Sequence, residues 1–212
     1  MPCFFSKRYF VRGAPLFLSY NGGFTLIETV VAVTLLFMAA MGPTALIVRS
    51  LADFQASRNK LIAIHLAQEG IELVRLVRDH NVICQILEPS WRWDRDSDGS
   101  GNLLGNNLRA DATDWTDTAT CGGVVYTNPN FSSSCDGPGN RLLMDASGRY
   151  GYVSGASTLF NRCIDISHAS AAEDGGKIPA SEMLEVISTI TWIDHRGATR
   201  SLALQERLYH WR

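Results

Sequence analysis

The sequence lacks the short motifs that mark catalysis and the binding of metals or nucleotides. It has no CxxC or HExxH pair, no GxSxG elbow and no glycine-rich phosphate loop in a suitable context, which argues against zinc, hydrolase and nucleotide chemistry. It also lacks an excess of basic residues, since the formal net charge is -2 and the pI is about 6.2. A nucleic-acid binder needs a concentrated basic face. We therefore expect neither an enzyme nor a protein that contacts nucleic acid directly.

Charged residues are scarce as well, at 19% of the chain against 46% hydrophobic residues. This balance disfavours disorder, and 212 residues suffice for one domain with an elongated appendage. Four of the five cysteines lie beyond residue 80. If that part is exported, an even number of cysteines predicts two disulfides with three possible connectivities.

Acidic residues are absent from residues 1–23, which carry Lys7, Arg8 and Arg12. The next segment, 24–48, is apolar with Glu28 as its single charge. Its last twenty residues, as a helix, span about 30 Å, the thickness of a bilayer's hydrocarbon core. A basic flank stays in the cytoplasm. We therefore expect one membrane span, with the N-terminus inside and the remaining chain outside.

Three other interpretations of this segment compete. A secretory signal peptide would be cleaved near Ala39–Gly42, but the apolar run is longer than usual and Pro43 follows closely. A plain signal anchor explains the apolar run but not Glu28 near its start. A buried core helix is disfavoured by the length and by the basic flank.

Glu28 distinguishes these interpretations, because a carboxylate in a membrane span costs about 2.5–3.5 kcal/mol and needs a partner. Cleavage after Gly23 would free the amine of Phe24, four residues earlier and on the same helical face. The amine could neutralise Glu28 of its own chain or of a neighbouring subunit. In the second case, the carboxylate that is unfavourable in the membrane would form an ion pair between subunits of an assembly.

The run Gly23-Phe24-Thr25-Leu26-Ile27-Glu28, with the apolar segment behind it, resembles the processing motif of type IV prepilins and type II secretion pseudopilins. The resemblance implies a membrane peptidase that cuts after Gly23 and methylates Phe24, and a docking role for Glu28. It implies as partners the bilayer, an inner-membrane assembly platform and other pilin or pseudopilin subunits. It places the precursor in a bacterial inner membrane and the assembled filament in the periplasm or at the cell surface. The segment 66–79 also resembles minor, PilV-like prepilin-type proteins.

The resemblance and the periodicity together predict four regions: a leader (1–23), a membrane or filament-core helix (24–48), an amphipathic continuation (49–81) and a β-rich domain (82–212). Apolar residues at three- and four-residue spacing continue the helix past a kink expected near Pro43, to a stop at Asp79–Asn81. Alternating residues predict a hairpin of 183–193 and 199–211. Weaker strands are expected near 124–127, 150–154 and 162–167. We predict an α+β pilin-like fold, in which the second half of the helix packs on a small antiparallel sheet.

The segment 91–102 offers a candidate calcium loop. Its alternate positions match the first half of such a loop, with a glycine for the turn, but the expected twelfth-position glutamate is missing. The candidate ligands are Asp94, Asp96, Asp98, Ser100 and Asn102. An exposed turn that forms without metal is the alternative. No cofactor is otherwise expected.

Cys121 and Cys135 bracket a stretch rich in glycine, asparagine and serine, so they are a candidate local disulfide. For function, three hypotheses stand: a structural filament subunit, a membrane-anchored calcium-binding or adhesive domain that does not polymerise, and an exported enzyme. They predict different N-termini, at Phe24, at Met1 and near Pro43 respectively.

Overall fold

The computed structural model describes residues 23–96, 101, 103, 105–135 and 140–211. Their single long α-helix is α1, Leu26–Leu87. The strands are β1 (Gly105–Asp111), β2 (Asp117–Cys121), β3 (Val124–Asn128), β4 (Asn130–Ser133), β5 (Arg141–Met144), β6 (Tyr150–Gly151), β7 (Ala156–His168), β8 (Met183–Ile193) and β9 (Thr199–Tyr209). The chain divides between Arg49 and Ser50 into two compact units, and α1 contributes to both.

In the first unit, every described residue from Gly23 to Arg49 is exposed. The helix is continuous through Pro43, although a proline removes one backbone hydrogen bond. Thr44 Oγ1 donates to the carbonyls of Ala40 (3.1 Å) and Met41 (2.9 Å) in this turn. The predicted helix of nearly sixty residues is confirmed, and the kink at Pro43 stays a prediction.

In the second unit, α1 buries one face against the sheet. The buried positions recur at three- and four-residue spacing and include Ala63, Leu66, Ala67, Gly70, Ile71, Val74, Val77, Asn81 and Cys84. They pack on apolar residues of β7 and β8, among them Ile164, Ile166 and Val186. The predicted α+β arrangement, a long helix packed on an antiparallel sheet, is thereby confirmed.

The helix ends six residues later than the sequence suggested, at Leu87 instead of Asn81. Val82 and Cys84 are buried, so the last turns still contribute to the core. Pro89 then ends the helix, because a proline cannot donate and disfavours helical backbone at the residue before it.

The main sheet is antiparallel and centred on β7, which pairs with β1 and β5 along one edge and with β8 along the other. The predicted hairpin is confirmed as β8 and β9, which pair without a register shift over eleven residues each. The expected strands near 124–127 and 162–167 correspond to β3 and part of β7. The strand expected at 150–154 is the two-residue β6. A separate hairpin of β2 and β3 pairs with no other strand of the described chain.

Two disulfides form, Cys84–Cys121 and Cys135–Cys163. The predicted number is confirmed, but the suggested pairing of Cys121 with Cys135 is wrong. Cys121 ends β2 and is bonded to Cys84 near the end of α1, whereas Cys135 follows β4 and is bonded to Cys163 in the middle of β7. Each bridge therefore joins elements distant in sequence, where the prediction had assumed a local loop.

Candidate processing and assembly site

The Gly23–Phe24 peptide bond lies in non-helical chain, just before α1 begins at Leu26. Both residues are exposed, and Phe24 exposes 80% of its surface. A Cβ atom added to Gly23 would meet none of the described residues within 4 Å. Packing among the described residues therefore does not require a glycine at this position.

Thr25 caps the helix directly after this bond. The Glu28 N–H donates to the Thr25 carbonyl at 3.1 Å and lies 3.3 Å from Thr25 Oγ1, and the Thr29 N–H donates to the same carbonyl at 3.1 Å. The pattern Thr25-x-x-Glu28 matches a capping box, in which threonine satisfies an orphan N–H of the first turn. Cleavage after Gly23 would leave this cap on the mature chain.

Glu28 lies in the first turn of α1 and is exposed. A carboxylate there is favoured by the helix dipole, whose positive end lies at the N-terminus. Glu28 thus combines a favourable position in the helix with a side chain that is open to a partner. The sequence had indicated the second property, whereas the capping pattern was present in the sequence and was missed.

The helix that follows Glu28 is long and apolar enough to cross a membrane, and none of its most apolar stretch of 18 residues is buried. Its exposed apolar side chains include Val30, Val33, Leu36, Phe37, Met41 and Val48. A helix that is apolar all round suits a lipid environment or a bundle of like helices. This first unit is compatible with a single-pass membrane protein.

The candidate calcium segment is described only in part, because Asp98, Ser100 and Asn102 lie outside the described residues. Asp94 is buried, and its carboxylate accepts from Arg92 Nε (2.8 Å) and Nη2 (2.5 Å), with His168 Nε2 at 3.4 Å. Burial opposes ionisation of Asp94, but the hydrogen bonds and charge of Arg92 outweigh it and lower the pKa. The chain itself therefore supplies a cation to this carboxylate.

Asp96 Oδ1 accepts from the backbone N–H of Gly101 at 3.0 Å. No group of three His, Cys, Asp or Glu residues suited to a metal occurs among the residues that the structure describes. Calcium binding by this segment stays a prediction, and a melting temperature that rises with calcium and falls on chelation would test it.

Comparison of the chain with protein-family models, with curated proteins and with solved structures finds no match.

Proposed function

We propose that this chain is a structural subunit, of the minor pilin or pseudopilin kind, of a type IV pilus-like or type II secretion filament. The precursor would be held in the membrane by residues 24–48, cleaved after Gly23 and methylated at Phe24. It would then join the filament through α1. Its partners would be a prepilin peptidase and methylase, an inner-membrane assembly platform and other subunits.

The observation that carries the proposal is the combination at the start of α1. An exposed Gly23–Phe24 bond precedes a capped helix, the first turn holds one exposed acid, and the following turns are apolar and exposed on all sides. A helix that only anchors a domain has no need of the acid. A subunit that packs among its own kind can neutralise it with the amine of a neighbour's Phe24.

Mass spectrometry of the chain made in a host with a prepilin peptidase tests the proposal. We expect a mature N-terminus at N-methylated Phe24. An intact Met1 would contradict the proposal in favour of an anchored, non-polymerising domain. A start near Pro43 would contradict it in favour of an exported protein behind a signal peptide.

A matched pair of glycine variants tests whether the proposed peptidase recognises Gly23. A Cβ atom at either Gly23 or Gly42 meets none of the described residues within 4 Å, so Gly23→Val and Gly42→Val should both fold. We expect Gly23→Val to leave the leader uncleaved and Gly42→Val to be processed normally. Equal processing of the two variants would remove Gly23 from the proposed cleavage site.

A further inference from the structure

The main sheet ends on one side in β9, which pairs only with β8 among the described strands. β9 is a long and regular edge strand, because its eleven residues pair with β8 without a register shift and include no proline or lysine. The strands at the other side of the sheet are short, with four residues in β4 and two in β6. Proteins protect sheet edges by short strands, bulges, proline or lysine. The edge of β9 has none of these features and is open to a further strand.

The two ends of the β8–β9 ladder show which backbone groups of β9 face outward. At one end the His210 N–H donates to the Glu182 carbonyl at 2.9 Å. At the other end the Ala198 carbonyl accepts from the Asp194 N–H, also at 2.9 Å. Hydrogen-bonded positions alternate along an antiparallel pair. The even-numbered residues of β9 therefore direct their backbone groups to β8, and the odd-numbered residues direct theirs away from the sheet.

The outward-facing backbone groups are unpaired along most of β9. The last of them is the Tyr209 carbonyl, which accepts from Arg78 Nη1 at 2.8 Å. Before it, the backbone N–H and C=O groups of Ser201, Ala203 and Gln205 have no hydrogen-bond partner among the residues that the structure describes. These positions can hydrogen-bond an added strand as the even-numbered positions bond β8.

A groove of about 530 Å³ lies beside this edge, between α1 and β9. Ile71 and Leu204 are its apolar lining. Its charged lining is acidic throughout and consists of Glu69, Glu72 and Glu206. Arg162 pairs with the first of these acids, and Arg75 pairs with both of the others. Three carboxylates thus share two guanidinium groups, and one negative charge remains beside the apolar side chains.

An added strand antiparallel to β9 places every second side chain over this groove, because directly opposite residues of an antiparallel pair point to the same face. Leu202 and Leu204 pack on the core below α1, and Glu206 pairs with Arg75 of α1, so all three lie on the groove side. Apolar residues fit opposite the two leucines, and a basic residue fits opposite Glu206. The strand that suits the edge therefore reads, from its N-terminus, basic, any, apolar, any, apolar.

We propose that the edge of β9 binds an extended segment of another protein that carries this order of residues, with a lysine or arginine opposite Glu206. The backbone of Ser201, Ala203 and Gln205 holds the segment by hydrogen bonds, and the groove selects its side chains, as in other cases of strand addition. All of these residues lie in the second unit. The inference therefore goes beyond the proposed function and does not depend on it.

β9 of a second copy carries the same order of residues in Arg200, Leu202 and Leu204. However, Arg200 Nε already donates to Asp194 Oδ2 at 2.9 Å. A second copy would have to give up this ion pair to supply the base. The remaining charge of the groove therefore favours a partner whose lysine or arginine is not engaged.

The test uses the full-length chain in mild detergent and a capped, fluorescein-labelled peptide of the order threonine, lysine, threonine, valine, threonine, valine, threonine. We expect saturable binding, measured by fluorescence anisotropy. Exchange of the lysine for glutamate should weaken binding about tenfold or more, because it places like charges opposite each other. N-methylation of the threonine amides should abolish binding, since these N–H groups face β9 in the proposed pairing.

Matched variants of the chain locate the binding. Ala203→Pro removes one outward N–H, at a position where an edge strand tolerates proline, and should weaken binding of the lysine peptide about tenfold or more. Ala203→Thr keeps the donor and should bind as the unaltered chain does. Glu72→Gln should reduce the preference for the lysine peptide over the glutamate peptide. Asp174→Asn, which removes an exposed acid outside the groove, should not.

Absence of saturable binding, or equal binding of the N-methylated peptide, would overturn the inference, and neither result depends on the folding of a variant. Equal binding to a folded Ala203→Pro chain would also overturn it. Self-association that Ala203→Pro abolishes, without peptide binding, would overturn it by assigning the edge to a second copy. A mature N-terminus other than Phe24 would contradict the proposed function alone.

Discussion

Arg162, which has no exposed surface, donates from Nη1 to Glu69 Oε2 at 2.8 Å, across the interface between β7 and α1. The same guanidinium donates to the backbone carbonyls of Leu66 (3.3 Å) and Ala110 (2.5 Å). One side chain of the central strand therefore binds both the helix and β1. A buried charge is tolerated only where such partners surround it.

Removal of Arg162 should be far more costly than neutralisation of Glu69. We expect Arg162→Ala to lower the free energy of unfolding by about 3–5 kcal/mol, because it leaves a cavity and unpaired carbonyls. Glu69→Gln should cost less, about 1–2 kcal/mol, because the amide oxygen of glutamine can still accept from Arg162 and 36% of the Glu69 side chain is exposed to screening solvent. Urea unfolding followed by tryptophan fluorescence measures both. Equal losses of unfolding free energy in the two variants would contradict the assignment of Arg162 as the residue that joins α1, β7 and β1.

Gly70 marks a close approach of α1 to the sheet, because an added Cβ atom would lie 2.7 Å from Ser188 Oγ. That hydroxyl is buried and has no hydrogen-bond partner among the described residues. We expect Ser188→Ala to be neutral or to stabilise by about 1 kcal/mol, and Gly70→Ala to destabilise. The double variant should be more stable than Gly70→Ala alone, and melting temperatures would show it. Additive effects would mean that the hydroxyl is not the obstacle.

The elements that the sequence predicted well are those whose patterns are local. Alternation in 183–193 and the Gly197 turn were sufficient for the β8–β9 hairpin. Strands β1 and β4 were missed, because Gly105–Asp111 and Asn130–Ser133 have little apolar alternation and depend on the ladders formed with their neighbours. The partner of Cys121 was missed for the same reason, since Cys84 is brought to it by the helix and not by the chain nearby.

Among the described strands, only β2 and β3 lie outside the main sheet. The position of this hairpin should therefore depend on the Cys84–Cys121 disulfide. Besides Cys84–Cys121 it is held to the end of α1 by His80 Nδ1 with Asn128 Oδ1 (2.7 Å) and by the Gly122 N–H with Glu88 Oε1 (2.9 Å). We expect Cys84→Ser/Cys121→Ser to cost about 3–4 kcal/mol and to expose the hairpin to limited proteolysis.

The second disulfide provides the control for this prediction. Cys135→Ser/Cys163→Ser opens a loop of similar size, with 28 residues of separation against 37. It should destabilise the chain comparably while the β2–β3 hairpin stays protected from the protease. Cleavage of the hairpin in both variants would show that its protection follows general stability.

The Arg92–Asp94 pair should give a pH-dependent contribution to stability. Because the pKa of Asp94 is lowered on folding, its stabilisation is present above the unfolded pKa of about 3.9 and is lost as the pH falls through the lower folded value. Melting temperatures of the unaltered chain and of Asp94→Asn should differ by a constant amount from pH 7 to about pH 5, and should converge only as the pH falls from about 3.9 through the lower folded pKa. A difference that persists in acid would contradict an ionic origin.

The two properties of Glu28 can be separated by substitution. Glu28→Ala removes a charge from an apolar helix, so membrane insertion should be unimpaired or improved. We expect this variant to be cleaved after Gly23 and to be incorporated into filaments poorly. Normal incorporation, measured by immunoblotting of sheared filaments against the membrane pool, would contradict the docking role of the carboxylate.

Glu28→Gln determines whether incorporation into filaments depends on the charge of Glu28 or on its contribution to the helix cap. Glutamine also completes a capping box with Thr25, so it retains whatever Glu28 contributes to the start of the helix. It cannot form an ion pair with the amine of a neighbour's Phe24. We expect Glu28→Gln to fail in incorporation as Glu28→Ala does, and Thr25→Ala, which loses about 1 kcal/mol of capping, to be incorporated. Rescue by glutamine together with failure of Thr25→Ala would instead assign Glu28 to the helix start.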